Sequence, residues 1–361
     1  MALSSQFAFV LCQHGAENAL TGMLAREQPA WRAAYRRPGL LTFRCNGELG
    51  ADVQVASPLA RVHGLSFGTH ANLDALVQRI ADLALDASSP LRLHVIDREQ
   101  LRAGDGASDD SAPSERARQL DTELRQRMPE RWHTSPRAEP NDLVADVVLG
   151  QPREPLLLGL HRHTPERSPN PAGTYSYEVP ADAPSRAFRK LEEAIAAFEL
   201  SVRQGDSALE LGAAPGGAVY ALLRRGVSVH GVDPAAMDPH VLAFTGPGGA
   251  RLTHVQEPMN AVDVRTLPRH IDWLLLDVHL APQVALRQAS RFLSHYRSSL
   301  LGAVLTLKLN DWSFLDELPR FTEDARALGL VDPKARQLPA HRRELALAGL
   351  TKLGKKRSRD S

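Results

Sequence analysis

Residues Leu209 to Pro234 read LELGAAPGGAVYALLRRGVSVHGVDP. An apolar strand runs into a loop of small residues, the loop into a helical pattern, and the helix into a second strand that ends on Asp233. Similar units continue to the end of the chain. SALELG, VSVHGVD, RLTHVQ, IDWLLLD, GAVLTLKL and RELALAGL read as strands, with helical spacing in most of the gaps. Apolar strands alternating with helices predict an α/β fold with a mainly parallel sheet covered on both faces. In such sheets the ligand lies at the carboxyl ends of the strands.

The glycines narrow the choice of ligand. Gly212, Gly216 and Gly217 remove side chains where the backbone must turn tightly and approach a bound group. A phosphate loop requires Gly-Lys-Ser/Thr at its end, and the loop Ala214-Pro215-Gly216-Gly217 has no lysine. The dinucleotide fingerprint requires glycine where Ala214 stands. Gly-x-x-x-Gly-Gly without lysine fits a nucleoside that carries no phosphate and has an amino-acid tail against the loop. S-adenosylmethionine is such a ligand. Asp233, 21 residues after Gly212, is placed to accept the ribose hydroxyls. A purely structural turn in another α/β protein remains the alternative at this point.

A chain of 361 residues, 43% hydrophobic and 24% charged, has room for two domains with cores of their own. The net charge of +1 announces no nucleic-acid field, so any RNA contact has to come from local patches. Two cysteines, Cys12 and Cys45, imply no disulfide framework, and a cytoplasmic protein is expected. No apolar run is long enough to cross a membrane and no basic leader precedes the first apolar stretch, so no membrane association is expected.

Before the repeated units the pattern is mixed. FAFVLC, LLTFRC, LRLHVID, DLVADVVLG and EPLLLGLHR read as strands, and AENALTGMLAREQ, ANLDALVQRIADLALD and ERARQLDTELRQRM as helices. AGDGASDDSAPSE, Ala103 to Glu115, reads as a loop insertion or connector. His161 and His163 in LHRHTP read as solvated linker residues, because two histidines without further ligands make no metal site. The expected domains are 1–62, 63–165, a proline-rich linker at 166–180, a ligand-binding domain at 181–353 and a mobile basic tail at 354–361.

Four charged residues surround the expected ligand edge. Lys190 lies on the helix SRAFRKLEEAI, Asp277 ends IDWLLLD, Lys308 stands at the end of the strand in AVLTLKLND, and Glu344 follows Arg343 at the start of RELALAGL. Together with GAAPGG and RQLPAHRRE, these segments resemble the FtsJ-type ribose 2'-O-methyltransferases, which use a Lys-Asp-Lys-Glu tetrad in this order. The resemblance implies a Rossmann-like domain, S-adenosylmethionine as cofactor, no metal, and catalytic roles for Lys190, Asp277, Lys308 and Glu344, with Lys308 as base. It also places Ser185 and Glu257 at the cofactor, and Asp277, a carboxylate at a further strand end, is expected to bind the cofactor with Asp233 and the Ala214–Gly217 loop. FVLCQHGAENAL, TYSYEVPADAPSR and LEEA are closest to the bacterial subgroup that methylates a cytidine ribose of 23S ribosomal RNA and carries an N-terminal THUMP-type domain. The partner then implied is ribosomal RNA or its precursor, and a monomer is expected. The family usually has an aromatic where this chain has Ala218, and an aspartate where it has Glu257.

The chemistry suits these residue types. A sulfonium is already a good leaving group, so the protein has to align a hydroxyl and remove its proton. Lys190 next to Lys308 is expected to lower the Lys308 pKa, with the two acids orienting the ammonium groups. Two other classes fit less well. An amino-group methyltransferase calls for Asn/Asp-Pro-Pro-Tyr where the chain has DVHLAP, and a carbon-5 pyrimidine enzyme requires a cysteine that the C-terminal domain lacks. A non-catalytic RNA-binding or assembly protein with this fold, or a small-molecule O-methyltransferase, stays open as the alternative.

Overall fold

The computed structural model describes residues 3–83, 91–102, 112–129 and 135–360. Most of the segment read as a connector, 103–111, lies outside the described residues. The chain divides into two compact units, Met1–Ser176 and Tyr177–Ser361.

The first unit contains β1 (Ser4–Leu11), α1 (Glu17–Glu27), β2 (Arg32–Arg37), β3 (Leu40–Gly50), β4 (Val62–His70), α2 (Leu73–Asp82), β5 (Leu91–Asp97), α3 (Glu115–Arg127), β6 (Leu143–Leu149) and β7 (Leu156–Arg162). Its strands form one sheet in the order β2-β3-β1-β4-β7-β6-β5. The expected boundary at 62/63 is therefore not a boundary of the fold, because β1 pairs directly with β4 from Ala8↔Leu65 to Leu11↔Val62. LRLHVID and LVADVVL are buried along their whole length, which explains the apolar run of the second; in the first the buried Arg92 donates to Asp142 at 2.6 Å. The arginine-rich β2 is the exposed edge, where charge discourages further strand pairing.

The histidines read as solvated linker residues are buried instead. His161 and His163 are each 3% exposed, and His161 Nδ1 lies 2.6 Å from the Oδ2 of the fully buried Asp146. The strand β7 carries His161 inward opposite β6, so a polar pair is enclosed rather than solvated.

The second unit contains α4 (Ala187–Ala197), β8 (Ser207–Leu211), α5 (Gly217–Arg224), β9 (Ser228–Val232), α6 (Pro239–Ala243), β10 (Leu252–Val255), β11 (Trp273–Leu276), α7 (Pro282–His295), β12 (Gly302–Lys308), α8 (Leu318–Ala327), β13 (Val331–Arg336), β14 (Glu344–Leu350) and α9 (Lys352–Arg359). The sheet order is β10-β9-β8-β11-β12-β14-β13. Pairs from β10 to β12 are parallel, and β14 runs antiparallel between β12 and β13. Alternate residues face opposite layers. Leu209, Leu211, Leu274, Leu276 and Leu305 pack with Ala289 and Phe292 of α7. Glu210, Leu275, Val304 and Thr306 face Ala187 and Leu191 of α4 and Ala218 of α5. The sheet is thus covered on both faces, as its apolar strands require.

The basic end of the chain is not a free tail. It forms α9, capped by Thr351, and Arg357 reaches both oxygens of Asp206 at 2.8 and 3.0 Å. Arg186 is the cap residue of α4, and the Ser185 hydroxyl accepts the Ala187 N–H at 3.3 Å.

Candidate active site

Antiparallel β14 decides the site. A parallel neighbour would bring its carboxyl end to the ligand edge, whereas β14 brings its first residue. Lys308, the last residue of β12, is therefore in register with Glu344, the first of β14. Asp277 follows β11 directly, and its N–H donates to Leu211 O at 3.0 Å, tying it to the end of β8. Lys190 arrives from α4, an amphipathic helix whose Phe188, Leu191 and Ala194 are buried.

The four side chains close a ring of alternating charge. Lys190 Nζ lies 3.0 Å from Asp277 Oδ2 and 2.7 Å from Glu344 Oε1. Lys308 Nζ lies 2.6 Å from both Asp277 Oδ1 and Glu344 Oε2. Each carboxylate bridges both lysines, and exposure across the ring runs from 6% to 19%, so water screens these pairs weakly. Burial pushes the Glu344 carboxyl up, but His341, Lys190 and Lys308 outweigh it and hold it down to about 2. For Lys308, burial lowers the pKa, yet Asp277 and then Glu344 outweigh burial and raise it. This reverses the expected lowering by Lys190, because each lysine meets two carboxylates before it meets the other lysine.

Three residues without an assigned role in the sequence support the ring. Glu193, one turn along α4 from Lys190, accepts the Ala340 N–H at 2.7 Å and the Tyr177 hydroxyl at 2.8 Å. It joins the helix that carries Lys190 to the turn that leads into Glu344. His341 is 1% exposed, its Nδ1 accepts the Leu338 N–H at 3.2 Å, and burial lowers its pKa to about 4. Glu210 is 1% exposed, and burial, Asp277 and Asp233 raise its pKa well above the carboxylate range. An acid inside the apolar strand SALEL was the one sequence signal for Glu210. Glu193 depends on Ala340, distant in sequence, and the burial of His341 in a polar turn follows from the fold, so neither gave a signal.

The ring borders a cavity of about 860 Å³ at the strand ends. Ser185, Gly212, Ala214, Asp233 and Asp277 line it, whereas Pro215, Gly216 and Gly217 are not part of its wall. Gly216 (φ +115°) and Gly217 open α5 instead. A Cβ on Gly217 would lie 2.2 Å from Ser185 Oγ, and one on Gly212 (φ +85°) 2.3 Å from Asp277 O. These glycines permit close packing of chain against chain, in addition to the tight turn. Glu257 is exposed and absent from the cavity wall, where Pro258, Met259 and Asn260 stand. Asp233 is held by the loop, with Oδ2 accepting Ala214 N–H at 3.1 Å and Oδ1 accepting Ala235 N–H at 2.8 Å. Among the described residues, no group of three His, Cys, Asp or Glu could hold a metal, and no helix is long and apolar enough to cross a membrane.

Residues 183–312 match the FtsJ-like methyltransferase family. Over 183 residues the chain is 32% identical to the ribosomal RNA large subunit methyltransferase M of Methylococcus capsulatus, covering 49% of this chain and 47% of that one. Over 117 residues it is 38% identical to the protein of that name from Shewanella amazonensis, covering 31% and 30%. The alignments thus span less than half the length of these curated relatives. The solved 1,6-didemethyltoxoflavin-N1-methyltransferase of Burkholderia thailandensis is 19% identical, with 47% of this chain and 79% of that chain covered at a TM-score of 0.35.

Proposed function

Because the chain carries an FtsJ-like methyltransferase domain over residues 183–312, we propose that it is an S-adenosylmethionine-dependent RNA 2'-O-methyltransferase whose substrate is ribosomal RNA, a cytidine of 23S RNA or its precursor. The observation that carries this reading is the closed ring of Lys190, Asp277, Lys308 and Glu344 at the cavity edge. The two curated relatives bear a ribosomal RNA methyltransferase name, which supports the choice of RNA. Ribosomal RNA as substrate also favours a cytoplasmic enzyme.

The cavity suits the cofactor on chemical grounds. Each Asp233 oxygen accepts one backbone N–H, which leaves lone pairs for a vicinal diol. The glycine loop at this wall has no lysine, which suits a nucleoside without phosphates, and Asp233 is the acid held against that loop. Ser185, Gly212, Ala214 and Asp233 would hold the cofactor. When bound, the cofactor supplies an activated methyl group.

The remaining work belongs to the chain. Lys308 accepts the proton of the ribose hydroxyl, for which it must first lose one of its own. Asp277 and Glu344 fix both ammonium groups within 3.0 Å, so Lys308 Nζ cannot swing away from the reacting hydroxyl. Lys190 adds positive charge where the alkoxide develops. The first unit, with arginines along β2, delivers the RNA.

The test is tritiated methyl transfer from S-adenosylmethionine, offered ribosomal RNA lacking the modification, bulk protein and small alcohols in parallel. Incorporation into large-subunit RNA alone is expected. Label in protein or in the small alcohols, with none in RNA, would overturn the reading.

A further inference from the structure

A ribose 2'-hydroxyl never comes alone. In RNA the neighbouring 3' carbon carries a phosphodiester and the neighbouring 1' carbon carries the base. A ring that holds the hydroxyl therefore has to meet a phosphate on one side and a base on the other. We infer that Arg343 is the phosphate contact and that Leu280 and Val284 form a shelf for the base of an unpaired nucleotide. This inference rests on the function proposed above and assigns the substrate half of the same cavity.

Both features leave the ring at opposite corners. Arg343 directly precedes Glu344, and Leu280 follows Asp277 by three residues, while Asp277 and Glu344 face each other across the two lysines. Arg343, Leu280 and Val284 all line the cavity. The Arg343 backbone is fixed, since its carbonyl accepts the Leu309 N–H at 2.7 Å, one pair beyond the β12–β14 ladder. Its guanidinium lies 5.3 Å from the centroid of the Trp312 ring. A ring contact of this kind engages the guanidinium face and leaves the N–H groups in its plane, which fit a phosphate fork. Those N–H groups make no hydrogen bond to the described residues. Leu280 is 37% exposed and Val284 46%. Two exposed apolar side chains beside a ring of charges fit a base face, which every nucleotide presents. Paired bases are stacked out of reach, so the strand has to be open at the target.

The experiment uses the full chain and a fluorescein-labelled single-stranded oligonucleotide copied from large-subunit RNA. Anisotropy is read between 50 and 250 mM salt, with S-adenosylmethionine binding followed by calorimetry. R343A should weaken RNA binding and reduce the salt slope by about 0.7, the value for one phosphate contact on a single strand. R343K should keep the slope but lose affinity, because it keeps the charge and loses the stack and the fork. L280D with V284D should weaken single-strand binding, and none of the variants should alter cofactor affinity. In methyl transfer, R343A should raise KM for RNA with kcat largely kept. Unchanged affinity and slope in R343A, with wild-type methylation of RNA intact, would overturn the subsite alone. Wild-type protein that neither binds nor methylates RNA would overturn the function together with it, and a shelf variant that loses cofactor instead would reassign the shelf to the cofactor.

Discussion

At the scale of the residue, protonation governs the account. The raised pKa of Lys308 keeps it an ammonium at neutral pH, and the neutral fraction grows about tenfold for each pH unit below that pKa. The logarithm of kcat should therefore climb with a slope near 1 from pH 7 to 9 in single-turnover methyl transfer. A plateau already at pH 7 would show that Lys308 is deprotonated there and that the two carboxylates do not control it. Asp233 is testable separately. Asp233→Ala should weaken S-adenosylmethionine by about 1.5–3 kcal/mol in calorimetry, the scale of hydrogen bonds to a charged group. Unchanged affinity would remove the diol assignment. All four members of the ring were legible in the sequence because each sits at a strand end or on the preceding helix, next to a recognisable apolar run. The direction of the Lys308 shift was not legible. It depends on which neighbour is nearest in space, and two acids stand closer than the other lysine. The exposure of Glu257 was not legible either, since it depends on how the chain leaves β10 in the folded sheet.

At the scale of the element, the site depends on how closely α4 and α5 approach. Phe188 of α4 and Tyr220 of α5 have ring centroids 6.1 Å apart, and Gly217 leaves no space for a Cβ beside Ser185 and the Phe188 N–H. Gly217→Ala should push α4 outward and carry Lys190 with it. Stability should fall by about 1–3 kcal/mol, the range for overpacking, and turnover should fall further than that loss of folded protein explains. Chemical denaturation alongside methyl transfer checks this; wild-type stability and turnover together would contradict it. The six strands read in the second unit were legible from their apolar runs. β13 was missed because VDPKAR carries a proline and alternating charge, and β4 because VHGLSFGTH is interrupted by two glycines. β2 hid behind its arginines and α9 behind its lysines, since an exposed edge and a charged helix have no strong apolar pattern.

At the scale of the whole molecule, buried histidines set the response to acid in both units; the second buries His341, whose pKa burial lowers to about 4. The first unit buries His63, His161 and His163, and burial leads the causes that lower each pKa, to about 4 for His163. A histidine with a lowered folded pKa binds fewer protons when folded, so stability is full above about pH 6.5 and declines as pH falls towards 4. Thermal melts of the full chain between pH 7 and 4.5 should show this decline, and His163→Gln should lessen it. A melting temperature independent of pH across that window would contradict the burial argument. The central claim is the position of the methyl group, and alkaline hydrolysis of the product reads it directly. A methylated 2'-oxygen cannot attack its own phosphate, so labelled ribosomal RNA should yield the label in one alkali-resistant dinucleotide. Lys308→Ala should reduce its formation by at least about 10²-fold. Label released in alkali as a single nucleotide would contradict 2'-O-methylation, and near-normal formation by Lys308→Ala would contradict Lys308 as the base.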